Sequence, residues 1–205
     1  SQNQKKQEAI EIAQNQIQQL KSGVLLVRLY NKKNVIAALE TKGMASRANA
    51  VKDKQESLNK EIISSFINFT FCEVYFFFSD NSSYILSKEY SKVELYTDSG
   101  IKKDALSIGS NFYVADFGVL KNENATSSDN DESNKTGRTK VKKYRGGNSN
   151  TNKKCMFLRD SDLKQLKRPF PYTVWFYPTP IKKLSYRQVV EQMNSQLKEF
   201  YAKNK

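Results

Sequence analysis

The order of hydrophobic and polar positions predicts that the chain begins with a helix, a strand and a longer helix. Apolar residues recur every three or four positions across residues 3–21, which is the spacing of an amphipathic helix. A strand-length apolar run follows at Val24–Tyr30. Helical spacing resumes after Asn31 and continues to Phe66, and we expect a break at Gly43 because glycine costs about 1 kcal/mol inside a helix.

The next segment, Phe69–Ser79 (FTFCEVYFFFS), is apolar at nearly every position. Such a strand is typically buried on both faces, as at the centre of a sheet covered by helices. Strand, helix and strand in this order predict a right-handed crossover between two parallel strands.

Shorter apolar runs separated by turn residues follow. We predict an antiparallel meander from the runs Tyr84–Leu86, Val93–Tyr96 and Phe112–Val119, which leave no room for helices between them. Two more strands are predicted at Cys155–Arg159 and Tyr172–Tyr177.

Two helical segments are predicted in the last quarter of the chain. A short helical turn is expected at Ser161–Leu166. Ser185 and Gln188 have the spacing of a capping box, which predicts that the last helix begins there.

These elements predict an α/β fold, with a parallel strand–helix–strand start, an antiparallel meander and helices that pack on the mixed sheet. We expect a single domain over residues 1–205. Residues 121–154 are nearly free of apolar side chains, so we expect a flexible insertion or a protruding hairpin there.

The chain contains no histidine. Histidine is the side chain that most readily acts as acid and base near neutral pH, and it is the commonest transition-metal ligand. Catalysis by Ser-His-Asp or Cys-His groups and histidine-based zinc sites are therefore excluded. Chemistry in this chain is left to carboxylates, lysine, tyrosine and cysteine.

The net charge is +13, from 34 basic and 21 acidic residues. Residues 68–120 are net acidic, so the positive charge lies on the predicted helices and on the 121–154 segment. Charge spread in this way favours solvated faces, or an anionic surface or polymer as partner, and disfavours nucleic acid, whose readers usually show a concentrated basic stripe.

Three aspartates follow predicted strands. Asp80 ends one apolar strand, and Asp160 and Asp162 follow another. Ligands of open α/β sheets bind outside the carboxyl ends of strands, and paired carboxylates hold Mg or Mn in phosphoryl-transfer enzymes. The alternative is structural, with Asp160 or Ser161 capping a short helix and Asp162 in its first turn. No cofactor is expected on that alternative.

Two cysteines, Cys72 and Cys155, lie near the starts of predicted strands. Adjacent strands could bring them together, and a disulfide would then close a loop of about 80 residues, worth about 4 kcal/mol in the chain-entropy model. The alternative is two buried thiols that act as small hydrophobic side chains.

The aromatic side chains of the last predicted strand could form a binding surface. Tyr172, Trp175 and Tyr177 could stack on a sugar or a base if they share an exposed face. The alternative is that they pack in the core, because aromatic residues dominate core burial.

The helix–strand–long-helix opening, the FTFCEVYFFFSD strand and the LKRPFPY stretch together resemble uncharacterised exported bacterial proteins. This resemblance implies an extracytoplasmic location, periplasmic or secreted, and supplies no activity. The chain begins at Ser1, and removal of a signal peptide would produce such a start.

Elimination of these chemistries favours a non-enzymatic binding or structural module with an anionic partner. The competing hypothesis is a Mg- or Mn-dependent phosphoester hydrolase that uses Asp80, Asp160 and Asp162.

Overall fold

One seven-stranded sheet organises the described chain. The computed structural model describes residues 2–104, 109, 111–120, 154–179 and 181–204. The helices are α1 (Gln2–Ser22), α2 (Lys33–Thr41), α3 (Ala45–Ser65), α4 (Ser82–Leu86) and α5 (Tyr186–Lys203). The strands are β1 (Val24–Leu29), β2 (Glu73–Phe78), β3 (Glu94–Tyr96), β4 (Lys102–Asp104), β5 (Phe112–Val119), β6 (Lys154–Arg159) and β7 (Thr173–Trp175).

The sheet is mixed, with the strand order β4-β3-β2-β1-β5-β6-β7. Strand β1 runs parallel to both of its neighbours, β2 and β5. The remaining pairs are antiparallel, so that β2-β3-β4 and β5-β6-β7 form two meanders on either side of β1. The predicted α/β class with a mixed sheet, a parallel start and packing helices is confirmed.

Three of the predicted elements differ from the structure. Phe112–Val119 does not continue the meander but pairs in parallel with β1. Tyr84–Leu86 lies in helix α4, and Ser161–Leu166 forms a turn with an isolated bridge rather than a helical turn. Short apolar runs fit either a strand or a buried helical turn, and only long-range pairing decides between them.

The two faces of the sheet are covered unequally. Helices α1, α3 and α5 pack on one face, where Leu25 and Val27 of β1 join the larger core. The opposite face carries a smaller cluster that includes Leu26 and is closed by Ile85 of α4. Strand β1 therefore buries both of its faces, which explains its nearly continuous apolar sequence.

Both predicted helix boundaries are present. Gly43 separates α2 from α3 with a φ of 70°, in the left-handed region that favours glycine. The Ser185 side chain accepts a hydrogen bond from the backbone N–H of Gln188, and the Gln188 side chain accepts one from the backbone N–H of Ser185. These two bonds complete the capping box of α5. None of the described helices is both long and apolar enough to cross a membrane.

Cys72 and Cys155 are free thiols. Cys72 precedes β2 and Cys155 lies in β6, three strands away. At about 4.8 Å per strand this separates the two by about 14 Å, whereas a disulfide needs Cα atoms within about 7 Å. Burial raises the pKa of Cys72 to about 12 and also raises the pKa of Cys155. Cys155 is buried, and Cys72 is partly buried against the larger core.

The segment predicted as an insertion, residues 121–154, lies outside the described residues except for Lys154, which begins β6.

Gly23 joins α1 to β1 where the backbone of Asn111 passes close by. A Cβ atom on Gly23 would lie 2.4 Å from the Asn111 carbonyl oxygen and 2.9 Å from that of Gln19. We expect Gly23→Ala to lower the free energy of unfolding by about 1–3 kcal/mol, the usual cost of overpacking.

Gly118→Ala is the matched control, because its new Cβ would have its nearest neighbour at 3.9 Å. That variant should be neutral or stabilised by up to about 1 kcal/mol. Urea unfolding measures both. Equal stability of the two variants would contradict the close approach at Gly23.

Candidate functional site

The three candidate aspartates lie at opposite edges of the sheet. Asp80 follows β2 at the edge where β1 and β5 also end. Asp160 and Asp162 follow β6, which runs against β5 and therefore ends at the other edge. The register separates Asp80 from Asp160 by about 20 Å along the strand direction, at about 3.3 Å per residue. The structure does not bring these carboxylates together around one ion.

The other acidic and cysteine side chains of the described residues form no metal site either. Across the described residues, no group of three Cys, Asp or Glu side chains is placed to hold a metal ion. Oδ1 of Asp160 instead accepts hydrogen bonds from the backbone N–H groups of Asp162 (3.0 Å) and Lys164 (2.8 Å). This carboxylate stabilises a turn, which is close to the capping role of the structural alternative.

The three candidate aromatic residues do not share one surface. Tyr172 packs against the larger core, on the same side as Val174. Trp175, one position from Val174 in β7, points to the opposite face of the sheet because side chains alternate along a strand. Tyr177 is exposed beyond the end of β7. The alternation of the strand therefore divides the predicted stacking surface.

A groove of about 610 Å³ lies between α2 and α3, where β1 and β2 end. We call it the α2–α3 groove. Leu29 of β1, Phe78 of β2, Ile36 of α2 and Ile63 of α3 contribute its apolar lining. Its position at the carboxyl ends of parallel strands is the usual ligand position in open α/β sheets.

Asn31 links the ends of β1 and β2 to the start of α2 through hydrogen bonds. It follows β1, and its side-chain oxygen accepts a hydrogen bond of 3.3 Å from the backbone N–H of Lys33, at the start of α2. Its Nδ2 donates to Asp80 after β2 (3.1 Å), and Asp80 also pairs with the Lys33 ammonium at 2.7 Å. Partial burial alone would raise the pKa of Asp80, but hydrogen bonds from Lys33 and Asn31 lower it overall.

Two buried amides of α3 give the groove fixed polar groups. Asn59 donates through Nδ2 to the Tyr30 carbonyl at 2.8 Å and accepts a bond of 3.0 Å from Gln55 Nε2. Gln55 and Asn59 are both more than 90% buried. Because each amide is held by a neighbour, the polar lining of the groove is preorganised.

Charged side chains surround the groove. Lys52 and Lys60 of α3 line it and form no ion pair with any described residue, whereas Lys33 is paired with Asp80. Glu40 of α2 and Glu56 of α3 supply negative charge. The groove thus combines an apolar lining with ammonium groups that are free to pair with a ligand.

A second polar cluster lies on the opposite face of the sheet. Asp116 of β5 is buried and accepts hydrogen bonds from Arg28 of β1 and from the Tyr30 hydroxyl (2.9 Å). Arg159 of β6 lies 3.4 Å away through Nε. Burial lowers the pKa of Arg28, but contact with Asp116 more than offsets this and raises it overall. The carboxylate therefore links three adjacent strands.

Neither the groove nor this cluster follows from motif searches. One sequence signal does exist: Arg28 and Asp116 each interrupt an apolar strand, VLLVRL and FYVADFGV. A charge within a buried strand needs a partner of opposite sign, because an unpaired buried charge is too costly to keep.

Comparisons with protein-family models, curated proteins and solved structures gave no match to this chain. Function is therefore argued from the sites alone.

Asp116→Asn tests the buried cluster. Loss of the carboxylate leaves Arg28 and Arg159 without the charge that both share, so we expect the free energy of unfolding to fall by about 3–5 kcal/mol. Asp80→Asn is the matched control, because the exposed Asp80–Lys33 pair should contribute no more than about 1 kcal/mol. Denaturant unfolding compares the two, and similar losses would contradict a special role for Asp116.

Proposed function

We propose that this protein is a binding module whose α2–α3 groove takes an amphipathic small molecule with an apolar body and one acidic group. The observation that supports this proposal is the apolar groove at the carboxyl ends of β1 and β2, bordered by the unpaired Lys52 and Lys60. A volume of about 610 Å³ lies within the range of about 300–1,000 Å³ typical of small-molecule sites.

The packing of α2 supports an apolar ligand. This helix buries none of its nine residues fully, although Ile36 and Leu39 are apolar. Helices are normally held by burial of an apolar face, so α2 leaves part of that burial unrealised. An apolar ligand between α2 and α3 would supply it.

The charges favour an acidic group on the ligand. Lys52 and Lys60 can pair with a carboxylate or sulfonate at the rim, while Asn59 and Gln55 offer hydrogen bonds deeper in the groove. Glu40 and Glu56 would repel a ligand with several negative charges. A single acidic group therefore matches the groove best.

We infer binding rather than catalysis because the lining of the groove is mainly apolar, its buried amides are held by neighbouring groups, and the chain has no histidine. The proposed ligand is anionic, like the partner expected from the sequence, but it is a small molecule and not a surface or polymer. The extracytoplasmic location expected from the resemblance stays a prediction.

Anilinonaphthalene sulfonate, which has an apolar ring system and one sulfonate, is a suitable probe. We expect saturable binding to the native protein, measured by fluorescence titration. Ile36→Glu should weaken the affinity about tenfold or more, because it replaces an apolar wall residue with a charge that must be desolvated.

Val35→Glu is the matched control, since it makes the same change one position away on α2, where Val35 is 51% exposed and does not line the groove. Its affinity should stay within about twofold of the parent. Both variants should keep an unfolding midpoint close to the parent's, because Val35 is exposed and Ile36 is only partly buried. Equal weakening in the two variants, or no saturable binding at all, would overturn the proposal.

A further inference from the structure

A second pocket, of about 510 Å³, lies on the other side of α3, where β6 begins and β7 ends. We call it the Lys154 pocket. The residues that line it are Lys154 of β6, Phe176 after β7, Lys183 in the loop before α5, Tyr186 at the start of α5 and Glu61 of α3. It shares no lining residue with the α2–α3 groove.

We propose that Lys154 is a carbonyl-reactive amine, and that its pocket takes a small aldehyde or ketone bearing an acidic group and holds it as an imine. This site is independent of the ligand proposed for the α2–α3 groove.

The position of Lys154 supports this proposal. Its side chain is partly buried, and its Nζ contacts the Tyr186 hydroxyl and lies 4.9 Å from the centre of the Phe176 ring. Among the described residues it forms no ion pair with a carboxylate. A lysine fixed inside a pocket in this way differs from a surface lysine, whose ammonium is fully hydrated.

The surroundings of Lys154 lower the pKa of its ammonium group overall. Burial is the largest effect on Lys154 and lowers its pKa, and the nearby Lys183 lowers it further. Glu61 and Tyr177 act in the opposite direction, as do the ring faces of Phe176 and Tyr186, which attract a cation. The net shift is downward, and desolvation with a neighbouring cation is an established way to activate a lysine nucleophile.

The reaction balances with the groups present. The lone pair of neutral Lys154 Nζ adds to the carbonyl carbon, and one proton passes from the nitrogen to the carbonyl oxygen to give a neutral carbinolamine. Loss of the hydroxyl with one nitrogen proton, as water, then forms the carbon–nitrogen double bond. The Tyr186 hydroxyl contacts Nζ, and burial raises its pKa to about 12, so it stays protonated at neutral pH. It can therefore relay a proton from nitrogen to the departing hydroxyl as its own proton passes on.

Lys183 is the reason that we propose an acidic group on the carbonyl compound. It lines the same pocket as Lys154, so a carboxylate on the carbonyl compound could pair with its ammonium while the carbonyl carbon faces Lys154. Glyoxylate, an aldehyde with an adjacent carboxylate, is the smallest probe with both features. Acetaldehyde is the matched probe without the charge.

The test uses the full chain at neutral pH with glyoxylate and cyanoborohydride, which reduces an imine to a stable amine. Peptide mapping by mass spectrometry then gives the labelling rate of each lysine. Lys154 should be labelled about tenfold faster than the exposed Lys182, which serves as the control within the same molecule. Labelling of Lys154 at the rate of Lys182, or more slowly, would overturn the proposal.

Two variants separate the roles within the pocket. Lys183→Met should reduce the preference for Lys154 with glyoxylate more than with acetaldehyde, whereas equal reduction would contradict the role of Lys183 in binding the acid. Tyr186→Phe should slow labelling of Lys154 while the unfolding midpoint stays close to that of the parent. An unchanged labelling rate of Lys154 in Tyr186→Phe would contradict the role of Tyr186 in proton transfer.

Discussion

The parallel pairing of β1 with both β2 and β5 is the constraint on which the rest of the structure depends. It brings the carboxyl ends of three strands to one edge of the sheet. It also requires the chain to return across the sheet between β1 and β2, and helices α2 and α3 make that return. The α2–α3 groove lies where this crossover leaves β1, so the site follows from the topology of the strands.

The buried cluster around Asp116 fixes that pairing in register. Arg28 and Asp116 lie on adjacent parallel strands and point to the same face of the sheet. A slip of one residue would turn one of them to the opposite face and leave a buried charge without its partner. An apolar pair of similar volume would often be as stable as this buried ion pair. The best-attested role of buried ionic groups is instead to specify the register of neighbouring elements. We infer that role here.

The pocket around Lys154 depends on the same topology. Strand β7 runs in the direction of β5, so its end, at Trp175, lies at the edge of the sheet where β6 begins with Lys154. The first turn of α5 reaches the same place, and its capping box fixes the position of Tyr186. Helix α3 separates this pocket from the α2–α3 groove, so both proposed sites lie at one edge of the sheet.

Local patterns predicted the elements better than they predicted the sites. The capping box at Ser185, the break at Gly43 and the apolar strand β2 are properties of neighbouring residues, and the structure contains all three. The direction of β6 is a property of long-range pairing, and it decides that Asp160 lies far from Asp80. The groove could not be predicted, because the apolar residues of α2 have the same spacing whether or not a neighbouring element covers them.

We propose that α2 completes its packing only with a ligand in the α2–α3 groove. Amide hydrogen exchange measures this directly, because a helix that buries no side chain opens at low free energy. We expect the amides of residues 33–41 to exchange faster than those in the middle of α3 in the free protein, and to slow when anilinonaphthalene sulfonate is bound. Exchange in α2 that is unchanged by the bound probe, with protection appearing elsewhere, would contradict the claim.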